Sequence, residues 1–509
     1  MRFLAMLAFL GGSALVPVAT VPAQAAWPQA DPRPGFHFAP QRNWMNDPNG
    51  LVYYEGEYHL FFQYNPHGDR WGHMSWGHAV SRDLISWKEL PVAIPESDVM
   101  AFSGSAVIDW KNTSGFGTGG KPAMVAIYTG FDPKTRNQSQ YVAYSNDRGR
   151  TFTRFGKVID IGSTEFRDPK VFWHEPTRRW VMVVVRATDK AASFYSSPNL
   201  REWTHESDFS HPSSSRSINW ECPELFELPV RNGARGEKRW VLSVSQGDGG
   251  PDGGSAGQWF VGAFDGHRFK LEPNWPDTPR WTDAGADFYA AQSWNEAPDG
   301  RRLWIGWATN LRYASAIPTY PARGLMSVPR ALALQREGQD WHLAQMPVRE
   351  IERYRTKVQR LVDVKLDNAS RALDPGDSFD MTVTIEDTDA ERITFTASDA
   401  QGYQTVVGYT PATREIFVDR TRSGPHFHDA FAARHVVTLP QGNGPVTLRL
   451  LVDRSILELF AADGTRTITD RFFRADGPLR WEVSAEGGSA TIRSLDVWRL
   501  AQPDSIKSR

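Results

Sequence analysis

The sequence predicts an all-β protein: a five-bladed β-propeller followed by a C-terminal β-sandwich. Three observations carry this prediction. Helical periodicity is nearly absent, and short apolar runs such as Gly50-Leu51-Val52-Tyr53-Tyr54 and Tyr58-His59-Leu60-Phe61-Phe62 are bounded by Gly, Pro, Asn or Asp, the pattern of many short strands. Two weak internal repeats interleave in constant order between Asp47 and Asp287. Near residue 350 the texture changes to strand after strand with strong alternation.

The repeats define the first module. An acidic or small polar residue enters an apolar strand at Asp47, Ser103, Asp168, Glu221 and Asp287, at intervals of 53 to 66 residues. A hairpin-like turn with an aromatic residue just beyond it recurs at Ser81, Ser145, Ser196 and Phe264. Five strand entries, each followed by about three more strands, describe five blades. The heads of the inner strands, remote in sequence, are thereby expected at one end of a common axis. The propeller is assigned to residues 33–348. The charged segment 349–362 is assigned to a linker, with a short helix as the other reading of Arg349 to Gln359. Residues 363–500 are assigned to the sandwich, where Asp380–Ile385, Val446–Val452 and Ser455–Phe460 alternate. No acidic turn like those of the first module occurs there, so catalysis is expected in the propeller.

The first 25 residues read as a signal peptide: Arg2, an apolar stretch broken by Gly11, Gly12, Pro17 and Pro22, then Ala23-Gln24-Ala25, a small-x-small cleavage triplet. The breakers argue against a retained anchor. The mature chain is expected to start near Ala26 and to be secreted or periplasmic. Of 509 residues, 57 are Lys or Arg and 59 are Asp or Glu, for a net charge of −2. That balance gives no support to a nucleic-acid partner recruited by a basic field. Cys222 is the single cysteine, which excludes an intrachain disulfide and any multi-cysteine zinc site.

Three acidic turns carry the chemistry. Asn46-Asp47-Pro48-Asn49-Gly50, Arg167-Asp168-Pro169 and Glu221-Cys222-Pro223-Glu224 each read, alone, as an ordinary turn or a solvated carboxylate. Their shared place at the heads of inner strands changes the reading, because a propeller aims all three at one pocket. Three carboxylates there repel one another, and such an arrangement points to a metal or a reaction. Magnesium or calcium needs more oxygen ligands, and His59, His67, His73 and His78 fall on no zinc pattern. Glycoside hydrolysis needs a carboxylate pair flanking the scissile bond, often with a third acid gripping sugar hydroxyls.

Six motifs, WMNDPNG at 44–50, FFQYNP at 61–66, WGHMSWGHA at 71–79, FSGSAV at 102–107, FRDPKVFW at 166–173 and WECPELF at 220–226, together resemble glycoside hydrolase family 32, the β-fructofuranosidases. GLMSVPRAL at 324–332 and LLVDRSILELF at 450–460 extend the resemblance over nearly the whole mature chain. The resemblance implies a propeller plus sandwich and a retaining mechanism. It also assigns roles: Asp47 as nucleophile, Glu221 as acid/base, and Asp168 as the group that binds fructosyl hydroxyls and supports the transition state. Asn46, Gln63, Trp71, Ser103 and Arg167 are expected to bind the fructosyl unit, with Arg167 also pairing with Asp168. No cofactor or metal is implied. The expected partner is a fructan or sucrose substrate, with no nucleic acid and no membrane once the leader is removed; the sequence carries no signal for oligomeric state.

Rival readings are weaker. Ser145 to Phe152 matches the Asp-box turn of sialidases, but in a single copy and without a set of arginines to bind a carboxylate. An arabinan hydrolase shares three carboxylates but lacks WMNDPNG. A non-catalytic fructan-binding protein is expected to have lost one of Asp47, Asp168 or Glu221, and all three are present. The segment Ile317 to Gly324 resembles the levanase and exo-inulinase branch, which favours release of terminal fructose from levan. Leu311 and Ala322 stand where that branch leads one to expect tryptophan. Loss of bulk at the rim keeps internal cleavage and fructosyl transfer open as alternatives.

Overall fold

The computed structural model describes residues 33–501 apart from 215, 443 and 476; the signal-peptide assignment lies outside these residues. The described chain is all-β, with 3-10 turns as its helical elements. Within its first three hundred or so residues, successive strands form sheets in chain order. The first joins Asn43–Tyr54, Glu57–Tyr64, Ser75–Ser81 and Trp87–Ile94, and the second runs from Met100–Ile108 to Thr153–Ile159. The third runs from Phe166–His174 to Thr204–Phe209, the fourth from Glu221–Pro229 to Phe269–Leu271, and the last from Tyr289–Ser293 to Asp340–Pro347. The leading strands touch one another in sequence, and the Tyr289–Ser293 strand returns to contact Asn43–Tyr54. The short strand Ala322–Arg323 adds to the first sheet through parallel pairing of Asn43 with Ala322 and Trp44 with Arg323.

Burial explains the composition of these strands. Leading strands are covered on both faces, so Phe166–His174 and Glu221–Pro229 are mostly buried although charged residues stand at their heads. Trailing strands such as Thr153–Ile159 are largely exposed and carry charge. The second sequence repeat is one turn made four times between third and fourth strands. Asp83 accepts from the backbone N–H of Ile85 and Ser86, and Asp147 from Arg150 and Thr151. Asn199 accepts from Arg201 and Glu202, and Asp265 from His267 and Arg268. A short side-chain oxygen replaces ladder partners where the chain reverses.

The C-terminal module is two six-stranded sheets packed face to face, with Phe379, Met381, Val383 and Ile385 alternating into the shared core. The assigned linker 349–362 differs from expectation. Arg349–Tyr354 is a 3-10 turn, and Arg355–Asp367 is an edge strand paired with Ser489–Leu500. Its charge is that of a sheet edge facing solvent, which discourages pairing with other chains. The two modules meet across a buried polar seam. Arg330 reaches Asp283 at 3.1 Å and Glu458 at 3.2 Å. Arg420 reaches Asp287 at 2.6 Å, and His37 bonds Asp453 at 2.9 Å.

Candidate active site

Each leading strand is irregular at its head. Register shifts fall between Met45 and Pro48, Ala101 and Gly104, Glu221 and Glu224, and Tyr289 and Gln292. A matching shift in the partner of Phe166–His174 falls opposite Arg167 to Lys170. Such bulges re-aim side chains and suit the prolines that follow Asp47, Asp168 and Cys222, since proline offers no ladder N–H. Asp168 has φ 66° and Cys222 φ 43°, left-handed backbone that aims consecutive side chains where a regular strand cannot.

The bulged heads surround a cavity of about 460 Å³. Asp47, Asp168, Glu221, Asn46, Gln63, Trp71, Ser103 and Arg167 all line it. The Ser103 hydroxyl donates to Asp47 Oδ2 at 2.6 Å, and the Asn46 amide donates to Asp47 Oδ1 at 3.1 Å. Asn46 is itself held by the Trp44 indole N–H at 2.8 Å. Asp168 Oδ2 accepts the Cys222 backbone N–H at 3.0 Å. The Cys222 thiol lies 3.5 Å from Asp47 Oδ2 and 3.7 Å from Asp168 Oδ2, bridging the two carboxylates. Burial pushes this thiol well above its usual range, which keeps it a donor and not a nucleophile.

Arg167 meets its neighbour Asp168 at the limit of ion pairing and two other acids more closely. Its Nε is 4.0 Å from Asp168, whereas its Nη2 donates to Glu221 Oε1 at 3.0 Å and its Nη1 to Glu165 Oε2 at 2.6 Å. The other Glu221 oxygen accepts the Tyr289 hydroxyl. Burial raises the Asp47 pKa against the opposing Ser103 hydrogen bond. Burial also lifts Asp168 to about 7, and the charges of Glu221 and Asp47 add to it while Arg167 opposes them. Glu221 is the more open of the two acids at 22% side-chain exposure, against 5% for Asp168.

Tyr289, Trp44, Gln138 and Glu165 also line the cavity and were missed in the sequence, and Trp307, which the sequence leaves undecided between pocket and core, lines it too. Tyr289 was findable: it sits two residues after Asp287 in the fifth strand entry. Asp287 itself, the fifth repeat position, lies at the seam between modules. Trp76 is a core residue whose indole donates to the Phe102 carbonyl at 2.9 Å. Trp71 stands 52% exposed at the rim, edge-on to Phe102. Leu311 lies at the rim, but Ala322 does not line the cavity, because it pairs with Asn43. His59 and His78 bond each other at 3.0 Å away from the carboxylates. Among the described residues, no group of three or more His, Cys, Asp or Glu is placed to hold a metal ion.

Residues 37–347 match the Glycosyl hydrolases family 32 N-terminal domain, and residues 350–499 match the Glycosyl hydrolases family 32 C terminal. A levanase of Bacillus subtilis (strain 168) is 43% identical over 491 residues, covering 94% of this chain and 72% of the levanase. The crystal structure of an exo-inulinase from Aspergillus awamori superposes with a TM-score of 0.88 at 36% identity, covering 93% of this chain and 99% of that one. A β-fructofuranosidase from Schwanniomyces occidentalis, complexed with fructosyl-erythritol, superposes with a TM-score of 0.85 at 32% identity over 93% of this chain and 98% of that one. With the three acidic motifs gathered in one cavity and both halves of the chain matched, the protein belongs to glycoside hydrolase family 32 and is a glycoside hydrolase.

Proposed function

We propose that the protein is a secreted, retaining hydrolase that releases fructose from the ends of β-fructans, levan foremost, and from sucrose. The observation that carries this reading is the single cavity in which Asp47, Asp168 and Glu221 meet. Asp47, held by Ser103 and Asn46, attacks the anomeric C2 of a terminal fructosyl unit while Glu221 protonates the departing oxygen. The C2–O bond to the rest of the sugar breaks as the bond to Asp47 Oδ forms. Water then attacks C2, Glu221 takes its proton, and Asp47 leaves as carboxylate. Asp168 grips fructosyl hydroxyls.

In this reading Glu221, the acid gripped by Arg167 and Tyr289 on the open side, delivers the proton to the leaving oxygen. The sheets of residues 33–348 are read as five propeller blades and the remainder as a sandwich without catalytic groups. Export is supported by the leader-like N-terminus and by the Aspergillus awamori relative described as an extracellular exo-inulinase. A cavity floored by Asp47 favours chain ends over chain middles.

Product analysis on levan, inulin and sucrose tests the proposal. Early levan digests should contain fructose with almost no intermediate oligosaccharides, and NMR should show the anomeric configuration retained at first release. A ladder of short fructans at low conversion shows internal cleavage across the rim that Leu311 leaves open. Dianhydrides or lengthened oligomers show transfer.

A further inference from the structure

The leading strands that place the carboxylates at one end of the ring run on to a second mouth. From Asp168 to His174 the chain advances about 20 Å at the usual strand rise. There a separate cavity of about 440 Å³ opens, walled by Phe172, Trp173 and Trp240 with Arg302 among its lining residues. Its volume lies within the range of about 300–1,000 Å³ typical of small-molecule sites.

Arg302 is the unexplained group. Its Nη1 donates to the Trp294 carbonyl at 3.2 Å and, at 3.4 Å, to the Ser293 hydroxyl. Among the described residues its Nε and Nη2 make no hydrogen bond, and no carboxylate lies within 4.0 Å of it. Glu224 is already held by Lys170 at 2.9 Å and Ser293 at 2.6 Å. The guanidinium rests over the Phe226 ring, 5.4 Å from its centroid, and burial pushes its pKa down. Arg302 is part-buried, so these open donors are not enclosed and can meet an acceptor that enters the cavity. The rim narrows the choice of acceptor. Glu296 lines the cavity, as does Glu227, which Lys238 already pairs at 2.9 Å; the charge of Glu296 repels an anion while offering acceptors to hydroxyl groups. Indole faces suit the apolar C–H side of a sugar ring.

We propose that this far mouth is a second carbohydrate site, in which Arg302 donates to the hydroxyl oxygens of a neutral saccharide and the tryptophan walls cover its ring faces. The identity of that saccharide as a fructan segment rests on the function proposed above. Such a site holds a polymer without competing for the catalytic cavity.

Calorimetric titration of Asp47→Ala protein with a fructo-tetrasaccharide tests it. Two equivalents per chain are expected, falling to one in Asp47→Ala/Arg302→Met, with Trp173→Ala weakening the same class at least fivefold. In the otherwise wild-type chain, Arg302→Met should keep kcat/KM on sucrose within twofold. Should Arg302→Met not fold, Trp173→Ala and Glu296→Ala at the rim take its place. One equivalent per chain, unchanged by the far-mouth substitutions, overturns the second site even where wild-type protein hydrolyses fructan. Two equivalents without fructan hydrolysis by wild-type protein uphold the site and overturn the functional reading instead.

Discussion

The Ser103 hydroxyl donates to Asp47 Oδ2 at 2.6 Å, linking the heads of the first two sheets at the atom assigned to attack the substrate. Burial raises the pKa of Asp47, and this hydrogen bond works against the rise. A nucleophile must be ionised, so activity climbs with pH through the Asp47 pKa. Ser103→Ala removes a stabiliser of the carboxylate and should move the acidic limb of the kcat/KM profile to higher pH. A bond to a charged group contributes about 1.5–3 kcal/mol, so a shift of about one unit or more is expected. An unmoved acidic limb refutes the assignment.

Tyr289 and Arg167 grip opposite oxygens of Glu221. Tyr289→Phe keeps the ring and removes one grip. It should lower kcat/KM about tenfold on sucrose, equivalent to about 1.4 kcal/mol, with little change in KM. A fructoside with a good leaving group needs less protonation and should lose much less. Equal losses on both substrates mean that the tyrosine acts on something other than proton delivery.

Asp47→Ala and Glu221→Ala should both lose hydrolysis while remaining folded, the latter by about 10²- to 10⁴-fold, the usual contribution of a general acid/base. They separate on activated substrates. Glu221→Ala should still form the fructosyl-enzyme and be rescued by added azide, and Asp47→Ala should not. Near-normal turnover of levan by Glu221→Ala would falsify the assignment of the acid/base.

Asp168 carries a stability signature. Its pKa rises from 3.8 to about 7 on folding, so the folded chain holds a proton that the unfolded chain releases. The protonated group favours the fold below the unfolded value, and that contribution is lost as pH rises through about 7. Asp168→Asn keeps the shape without the charge. Its Tm relative to wild type should therefore improve steadily from about pH 4 to about pH 8 while activity collapses. A Tm difference independent of pH contradicts the burial-driven shift.

Much of the site was legible because its residues sit in short, turn-rich motifs at strand entries, where polar side chains are conspicuous against apolar runs. Asp47, Asp168 and Glu221 stood out for that reason, and the structure brings them to one cavity. Tyr289 was hidden because a tyrosine in an apolar strand reads as packing. Arg167 was expected beside Asp168 alone; it meets that acid at 4.0 Å and also grips Glu221 from the next sheet, a partner that no local motif contains. Asp287 fitted the repeat, yet its carboxylate serves Arg420 at the seam. Nothing in the local pattern separates an acid facing a pocket from one facing a neighbouring module. The charge of Arg355–Asp367 read as linker for a similar reason: an edge strand and a linker both face water.

The seam between the modules bears on their independence. Arg330 and Arg420 are fully buried, and each finds acidic partners in the other half of the chain or at the boundary. Cutting the chain near residue 349 takes Glu458 from Arg330 and Asp287 from Arg420, and losing one partner of a buried pair typically costs about 3–5 kcal/mol. Neither half is then a part that can be lent to another protein or lost without consequence. The sandwich persists beside the propeller-side half as a structural obligation, and heating should melt both halves in one calorimetric transition.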